Sequence, residues 1–260
     1  MSAERLVYAH LMEKRIGGFQ RREIPATTSF MTPSRSPFGK LDADGGWIPP
    51  SPSTASRRPS ARSKGSLRSF MVSHEDQREI VAESGIERDV AATLLADRRI
   101  TLVEDQPPPV KLKLGDRKIR RTFDFRVTLQ DGRRIAIAVK PKDKIKRSGI
   151  ETVIELAEQQ LPQFADRFMI VDETMVTRTM GNLAREILHA RRFVNTDHVA
   201  AVRRAAEATH GTIRIRDLAC LSGIGAGAWW AIICLIGEEE LVHVGNGMPT
   251  DRSFVKRAAE

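Results

Sequence analysis

Cysteine is scarce in this chain and long apolar runs are missing. The thiols among its 260 residues are Cys220 and Cys234, both set between apolar neighbours. That excludes a disulfide framework and favours two buried, reduced side chains over a disulfide or metal site. The histidines, His10, His74, His189, His198, His210 and His243, show none of the paired spacings that hold a metal and read as surface or capping residues. The longest apolar stretch, Ile224 to Ile236, is too short to span a bilayer and gives way to Glu238, Glu239 and Glu240. The first residues lack the compact apolar core of a secretory signal. The expected location is the cytoplasm, with no membrane partner.

Positive charge is what the chain has in excess. Its 42 Lys and Arg against 33 Asp and Glu give +9 and a pI near 10.0, a balance that favours a polyanionic partner, nucleic acid by default. The excess is local: residues 109–150 hold 14 Lys and Arg against 4 Asp and Glu, whereas residues 151–260 hold 12 against 15. Residues 1–70 are rich in Ser, Pro, Arg and Gly and have no sustained apolar period, so they are expected to form a disordered basic tail. Within it the Arg57 to Arg68 cluster reads either as an electrostatic arm on DNA or as a solvating linker.

From His74 to Arg99 the spacing predicts a helix, with Ile80, Val90, Ala91, Leu94 and Leu95 at three- and four-residue steps. Glu87 shares their face, where a carboxylate is costly to bury unless it is paired or bound to a metal. Either it is a ligand, or it borders the stripe and pairs with Arg88 or Arg120. Three strands are predicted next, Val110 to Leu114, Arg121 to Leu129 and Arg134 to Lys140, with Gly115-Asp116 and Asp131-Gly132 as turns. Phe123, Phe125, Val127 and Leu129 alternate with Asp124 and Arg126; Ile135, Ile137 and Val139 alternate with Ala136, Ala138 and Lys140.

Whether Asp124 meets Lys140 depends on the turn between these strands. A three-residue loop with Gly132 left-handed pairs Leu129 with Arg133 and puts Asp124, Ala138 and Lys140 on one face. A two-residue loop would shift the register by one and part them. The longer loop also keeps the apolar faces together and is preferred.

Beyond Pro141 lies the basic run Lys142, Lys144, Lys146 and Arg147, which suits a phosphate clamp or a solvated loop equally. A capping box of Ser148 and Glu151 is expected to open a helix bearing Ile150, Val153, Ile154, Ala157 and Leu161. Phe168 to Val171 reads as a strand completing a helix-flanked mixed sheet, and Arg178 to Arg192 and Asp197 to Thr209 as helices. The last fifty residues resemble a winged helix: helices at Ile215 to Leu221 and Ala226 to Ile236, strands at Leu241 to Val244 and Ser253 to Val255, and a glycine-rich tip between the strands. Its second helix, AGAWWAIICLI, carries no Arg, Asn or Gln to read bases, which favours packing or protein contact over sequence readout and disfavours a transcriptional regulator. Trp229 and Trp230 read as core and interface anchors. The expected domains are 1–70, 71–172 and 173–260.

Taken in order, SGIER in a helix, QPPPV entering a strand, RRTFDFRV, DGR and IAVKPK are similar to the N-terminal domain of the TnsA family of transposon-end endonucleases. The similarity covers residues 80–172, and the winged-helix-like end fits that family's usual C-terminal domain. The resemblance implies an α/β restriction-endonuclease-like fold of the PD-(D/E)xK type, and a Mg²⁺- or Mn²⁺-dependent nuclease acting on DNA beside a transposase and a regulatory ATPase. By position, Glu87 matches the helix glutamate, Asp124 the strand aspartate and Lys140 the closing lysine. Glu87, Asp124 and the Val139 carbonyl would hold metal, while Lys142, Lys144, Lys146, Arg147 and Arg126 would meet DNA. Two positions depart from the pattern: Phe123 replaces the usual proline, and Ala138 stands where the superfamily has Glu or Asp and TnsA proteins a Gln. The alternative is a catalytically lapsed, DNA-associated scaffold that recruits a partner.

Overall fold

A computed structural model describes residues 40–41, 43–44, 46–56, 67–73, 75–193 and 195–258. These are mixed α/β, with seven α-helices among them. They fall into two compact units that divide between Gly181 and Asn182, inside a helix and later in the chain than the expected 172/173 border. No helix among the described residues is long and apolar enough to cross a membrane.

The first unit contains the antiparallel pairs β1 (Lys40–Leu41) with β2 (Trp47–Ile48), and β3 (Ser69–Val72) with β4 (Glu79–Ala82). Helix α1 (Gly85–Ala96) leads into β5 (Ile100–Asp105). The hairpin β6 (Val110–Leu114) and β7 (Arg117–Arg121) comes before β8 (Phe125–Leu129) and β9 (Arg134–Val139). Helices α2 (Lys142–Ser148) and α3 (Ile150–Gln160), strand β10 (Arg167–Val171) and the first turn of helix α4 (Arg178–Phe193) follow, the rest of α4 belonging to the second unit. The central sheet has the order β10-β9-β8-β5. Its β5, β8 and β9 are antiparallel in sequence, and β10 runs parallel to β9.

Packing follows the alternation of the strands. Phe125, Val127 and Leu129 are buried, with Arg126 and Thr128 half-buried between them. Strand β9 is buried on both faces from Ile135 to Val139. Its Ala136 and Ala138 join Phe123, Ile150, Val153, Ala157 and Phe168 in one apolar cluster, while α1 packs against β4, β5 and β9. The β8–β9 turn takes the three-residue form. Leu129 N donates to Arg133 O, Gly132 N donates to Leu129 O, and Gly132 sits at φ +85°, which needs a residue without Cβ strain.

Local predictions fail in several places, each for an identifiable reason. The helix starts at Gly85, because Ser84 caps it, so Ile80 lies in β4 and not on the helical face. Strand β5 was not predicted, since Ile100 to Asp105 follows the helix directly and merges with its period. The expected strand 121–129 is broken at Thr122 to Asp124: Arg121 ends the β6–β7 hairpin, and β8 begins at Phe125. Ser148 does not cap α3. It ends α2 and donates to Ile145 O, while Gly149 at φ 66° separates the two helices. The tail assignment falls outside the described residues for 1–39 and 57–66. Residues 46–56 differ from it, since Ser51 bridges Arg78 and Ser53 donates to Asp105.

In the second unit, α5 (Thr196–Glu207), β11 (Thr212–Arg214), α6 (Ile215–Ser222), a 3-10 turn (Gly225–Gly227), α7 (Ala228–Gly237), β12 (Leu241–Val244) and β13 (Phe254–Arg257) build three helices against an antiparallel sheet ordered β11-β13-β12. Helix α7 is buried at Ala228 and from Ala231 through Gly237, and Trp230 packs its ring against His189 at 4.5 Å. Cys234 is buried as expected but Cys220 is exposed, because Ile215 and Leu218 set the inward face of α6. His243 is also buried, contrary to its reading as a surface residue, and burial lowers its pKa.

Gly181, in the first turn of α4, lies against Asp89 of α1 with no spare room. A Cβ on Gly181 would lie 2.5 Å from Asp89 Cβ and 2.8 Å from its Cα, and backbone cannot step aside as a flexible side chain can. Gly181→Ala is therefore expected to destabilise the protein by about 1–3 kcal/mol despite the better helix propensity of alanine, as measured by urea denaturation.

Candidate functional site

Asp124 lies where the chain leaves the β6–β7 hairpin and enters β8. Its backbone is held on both sides: Asp124 N donates to Ile137 O at 2.9 Å, and Asp124 O accepts from Gln106 N at 2.9 Å. With Phe125 opposite Ile137, Asp124 stands beside Ala138. Its carboxylate Oδ2 accepts from Val139 N at 2.7 Å and lies 3.8 Å from Lys140 Nζ. The lysine is fixed in turn by its own N–H, which donates to Val171 O at 3.0 Å. The acid and the lysine predicted to meet therefore do so, at one end of the β8–β9 pair. An extended residue directs its N–H and C=O to the same strand edge, so the Val139 carbonyl faces the edge from which its N–H reaches Asp124.

Glu87 is not joined to this pair by any of its hydrogen bonds. It is the third residue of α1 and closes a reciprocal capping box. Glu87 N donates to Ser84 Oγ at 3.1 Å, Ser84 Oγ donates to Glu87 Oε1 at 2.9 Å, and Glu83 N donates to Glu87 Oε2 at 2.8 Å. Neither Arg88 nor Arg120 is its partner; Arg88 pairs with Asp89 at 3.1 Å. The signal was present as Ser84-Gly85-Ile86-Glu87, a serine followed three residues later by glutamate, but the helix start was placed too early for it to register.

Two further expectations change. Arg126, expected to meet DNA, is engaged within the fold: its guanidinium holds Glu104 across the β5–β8 ladder at 2.6 and 2.8 Å and stacks over the Phe164 ring at 4.7 Å. The Glu104 hydrogen bond raises its pKa against the effect of burial. Ala138 supplies no donor and lies 3 % exposed in the apolar cluster under α3, so a carboxylate at that place would need a partner inside the core. Lys142, Lys144, Lys146 and Arg147 are exposed on α2, a short helix and not the expected loop.

The sequence reading missed three acids near this end of the molecule. Asp105, fully buried, accepts from Val81 N, Ser53 Oγ and Arg78 Nη1. Arg78 also donates to Val103 O. Glu173 accepts from the backbone N of Lys142. Asp172, next to the end of β10, is pushed up by burial, but the Thr174 hydroxyl, the N–H groups of Thr174 and Met175 and the charge of Lys142 outweigh this and hold it below the usual carboxylate range.

As a site for a divalent ion, the donors are few. Among the described residues no three His, Cys, Asp or Glu side chains converge as a metal-binding group. Asp124 and the Val139 carbonyl offer two oxygens of the right hardness, whereas both carboxylate oxygens of Glu87 are engaged at the start of α1. That set suits Mg²⁺, which commonly takes one or two carboxylates and completes its shell with water and phosphate oxygens. No family model matches the chain, and no curated protein matches it.

Two outcomes follow. Glu87→Ala should cost about 1 kcal/mol of stability by removing half of the capping box, whereas Glu87→Gln, which can still accept, should cost less; thermal melts distinguish them. The Asp172 contribution is fully present above the unfolded aspartate value of ~3.9 and is lost as pH falls through the lower folded value. Asp172→Asn should accordingly flatten the decline of Tm below pH ~4 relative to the wild type.

Proposed function

We propose that the chain is a metal-dependent DNA endonuclease with a restriction-endonuclease-like domain similar to that of TnsA proteins, acting at transposon ends beside a transposase and an ATPase. The observation that carries this reading is the Asp124 carboxylate 3.8 Å from the Lys140 ammonium, at the end of two antiparallel strands. The element order supports it: a helix, three antiparallel strands, helices and a fourth strand parallel to the third. The second unit is read as a winged helix whose buried α7 favours packing over base reading.

Asp124, the Val139 carbonyl and, once released from Ser84, Glu87 would hold Mg²⁺ or Mn²⁺. Such an ion, when bound, supplies positive charge to a scissile phosphate and lowers the pKa of bound water. The chain's own contribution is orientation and charge. Val139 N–H fixes the Asp124 carboxylate, and Lys140 places its ammonium where it can orient an attacking water or neutralise charge building on phosphorus. The exposed Lys142, Lys144, Lys146 and Arg147 of α2 follow directly and would position the phosphate backbone.

A second reading, a lapsed DNA-associated scaffold, is favoured by the same site's poverty: Ala138 gives no donor and both Glu87 oxygens accept capping bonds. Nicking of a supercoiled plasmid carrying the transposon ends, with the partner transposase present, separates the two. The endonuclease reading expects Mg²⁺- or Mn²⁺-dependent nicking that Asp124→Ala abolishes and Lys140→Ala slows about 100-fold or more. Under that reading Glu87→Gln also impairs nicking although it keeps the fold. Absence of cleavage with either metal and with the partner present would establish the scaffold.

A further inference from the structure

We infer that the β6–β7 hairpin is a duplex-DNA-binding ribbon whose outward face lies along the phosphate backbone, an extension that rests on the endonuclease reading for the choice of polyanion. The hairpin stands apart from the central sheet as its own two-stranded ladder. Its register pairs Lys111 with Arg120 and Lys113 with Lys118, while Leu112 pairs with Ile119 between them. Since neighbouring rungs face opposite ways, the first two pairs share one face and Leu112 and Ile119 the other.

The two faces have different fates. Leu112 is 1 % exposed in the cluster under α3, with Ile119 packed against it. Gln160 at the end of α3 clamps the same strand, accepting from Lys113 N at 2.8 Å and donating to Lys113 O at 2.9 Å. The ribbon is thus anchored by its apolar face. Lys111, Lys113, Lys118 and Arg120 on the other face are all exposed, and none of them forms an ion pair with a described residue.

Like charges directly opposite one another weaken a strand pair, so two stacked cation pairs are an arrangement that folding alone does not favour. A row of phosphates relieves it. Two residues along a strand span about 7 Å and the strands lie about 5 Å apart, so the four cations form one compact patch. All four residues of the face are Lys or Arg, side chains that supply many of the contacts to phosphate oxygens. A two-stranded ribbon is also of a width that the B-form major groove admits, whereas the A-form major groove of RNA is too narrow for side chains to read.

The test is titration of the full chain with a fluorescent random-sequence DNA duplex in EDTA, across a range of NaCl concentrations. The wild type is compared with a Lys111→Gln, Lys113→Gln, Lys118→Gln, Arg120→Gln variant. Losing four phosphate contacts should make the slope of log K against log salt shallower by about 3–4. Between ~50 and ~200 mM salt the wild type should then lose about 100-fold more affinity than the variant. The variant's Tm in low salt should be no lower than the wild type's. If it is lower, the smaller Lys113→Gln, Lys118→Gln pair, expected to make the slope shallower by about 2, decides the matter. An unchanged slope, no duplex binding by the wild type, or tighter hairpin-dependent binding to duplex RNA would each overturn the proposal. Because no metal is present, the result is independent of cleavage: hairpin-dependent binding without nicking retires the endonuclease alone, and nicking with an unchanged slope retires the ribbon alone.

Discussion

The register of β8 against β9 is the constraint on which the site depends. Side chains in a strand alternate between faces, so one residue of slip would carry Asp124 away from Lys140 and turn the apolar side of β8 outward. Gly132, left-handed in the turn, sets the count, and the Val139 N–H to Asp124 Oδ2 bond fastens it at the far end of the pair. A loop substitution and a carboxylate some eight residues away along the strand are thereby connected through geometry, without touching.

Much of this arrangement is legible in the sequence. The alternation of Phe125, Val127 and Leu129, and the Asp-Gly turn, fix faces and register by local chemistry. Asp124 and Lys140 could therefore be placed together from the sequence. What could not be read depended on partners distant in the chain. The Arg126 to Glu104 clasp requires β5, which was not predicted. The buried Asp105 is explained only by Arg78, Val81 and Ser53 arriving from earlier segments. Ser148 failed as a cap because Gly149 offered the cheaper boundary, ending one helix and starting the next at the same left-handed residue.

Glu87 shows how a single carboxylate can answer two demands. In this arrangement it satisfies N–H groups at the start of α1, where negative charge also suits the helix dipole. Under the proposed metal role it would give up that position, at a cost of roughly what a cap is worth, about 1 kcal/mol. Ala138 offers no carboxylate in its place, since it lies among Ile150, Val153 and Ala157.

The contact between Ser53 and Asp105 has a practical consequence for where this molecule can be cut. A piece beginning at residue 71, where hydropathy first turns periodic, would take away a hydroxyl that helps satisfy a fully buried carboxylate, along with the Ser51 bridge to Arg78. The hydrogen-bonded unit around Asp105 reaches back at least into residues 51–53. A stretch that looks like a linker by composition belongs, by its hydrogen bonds, to the sheet.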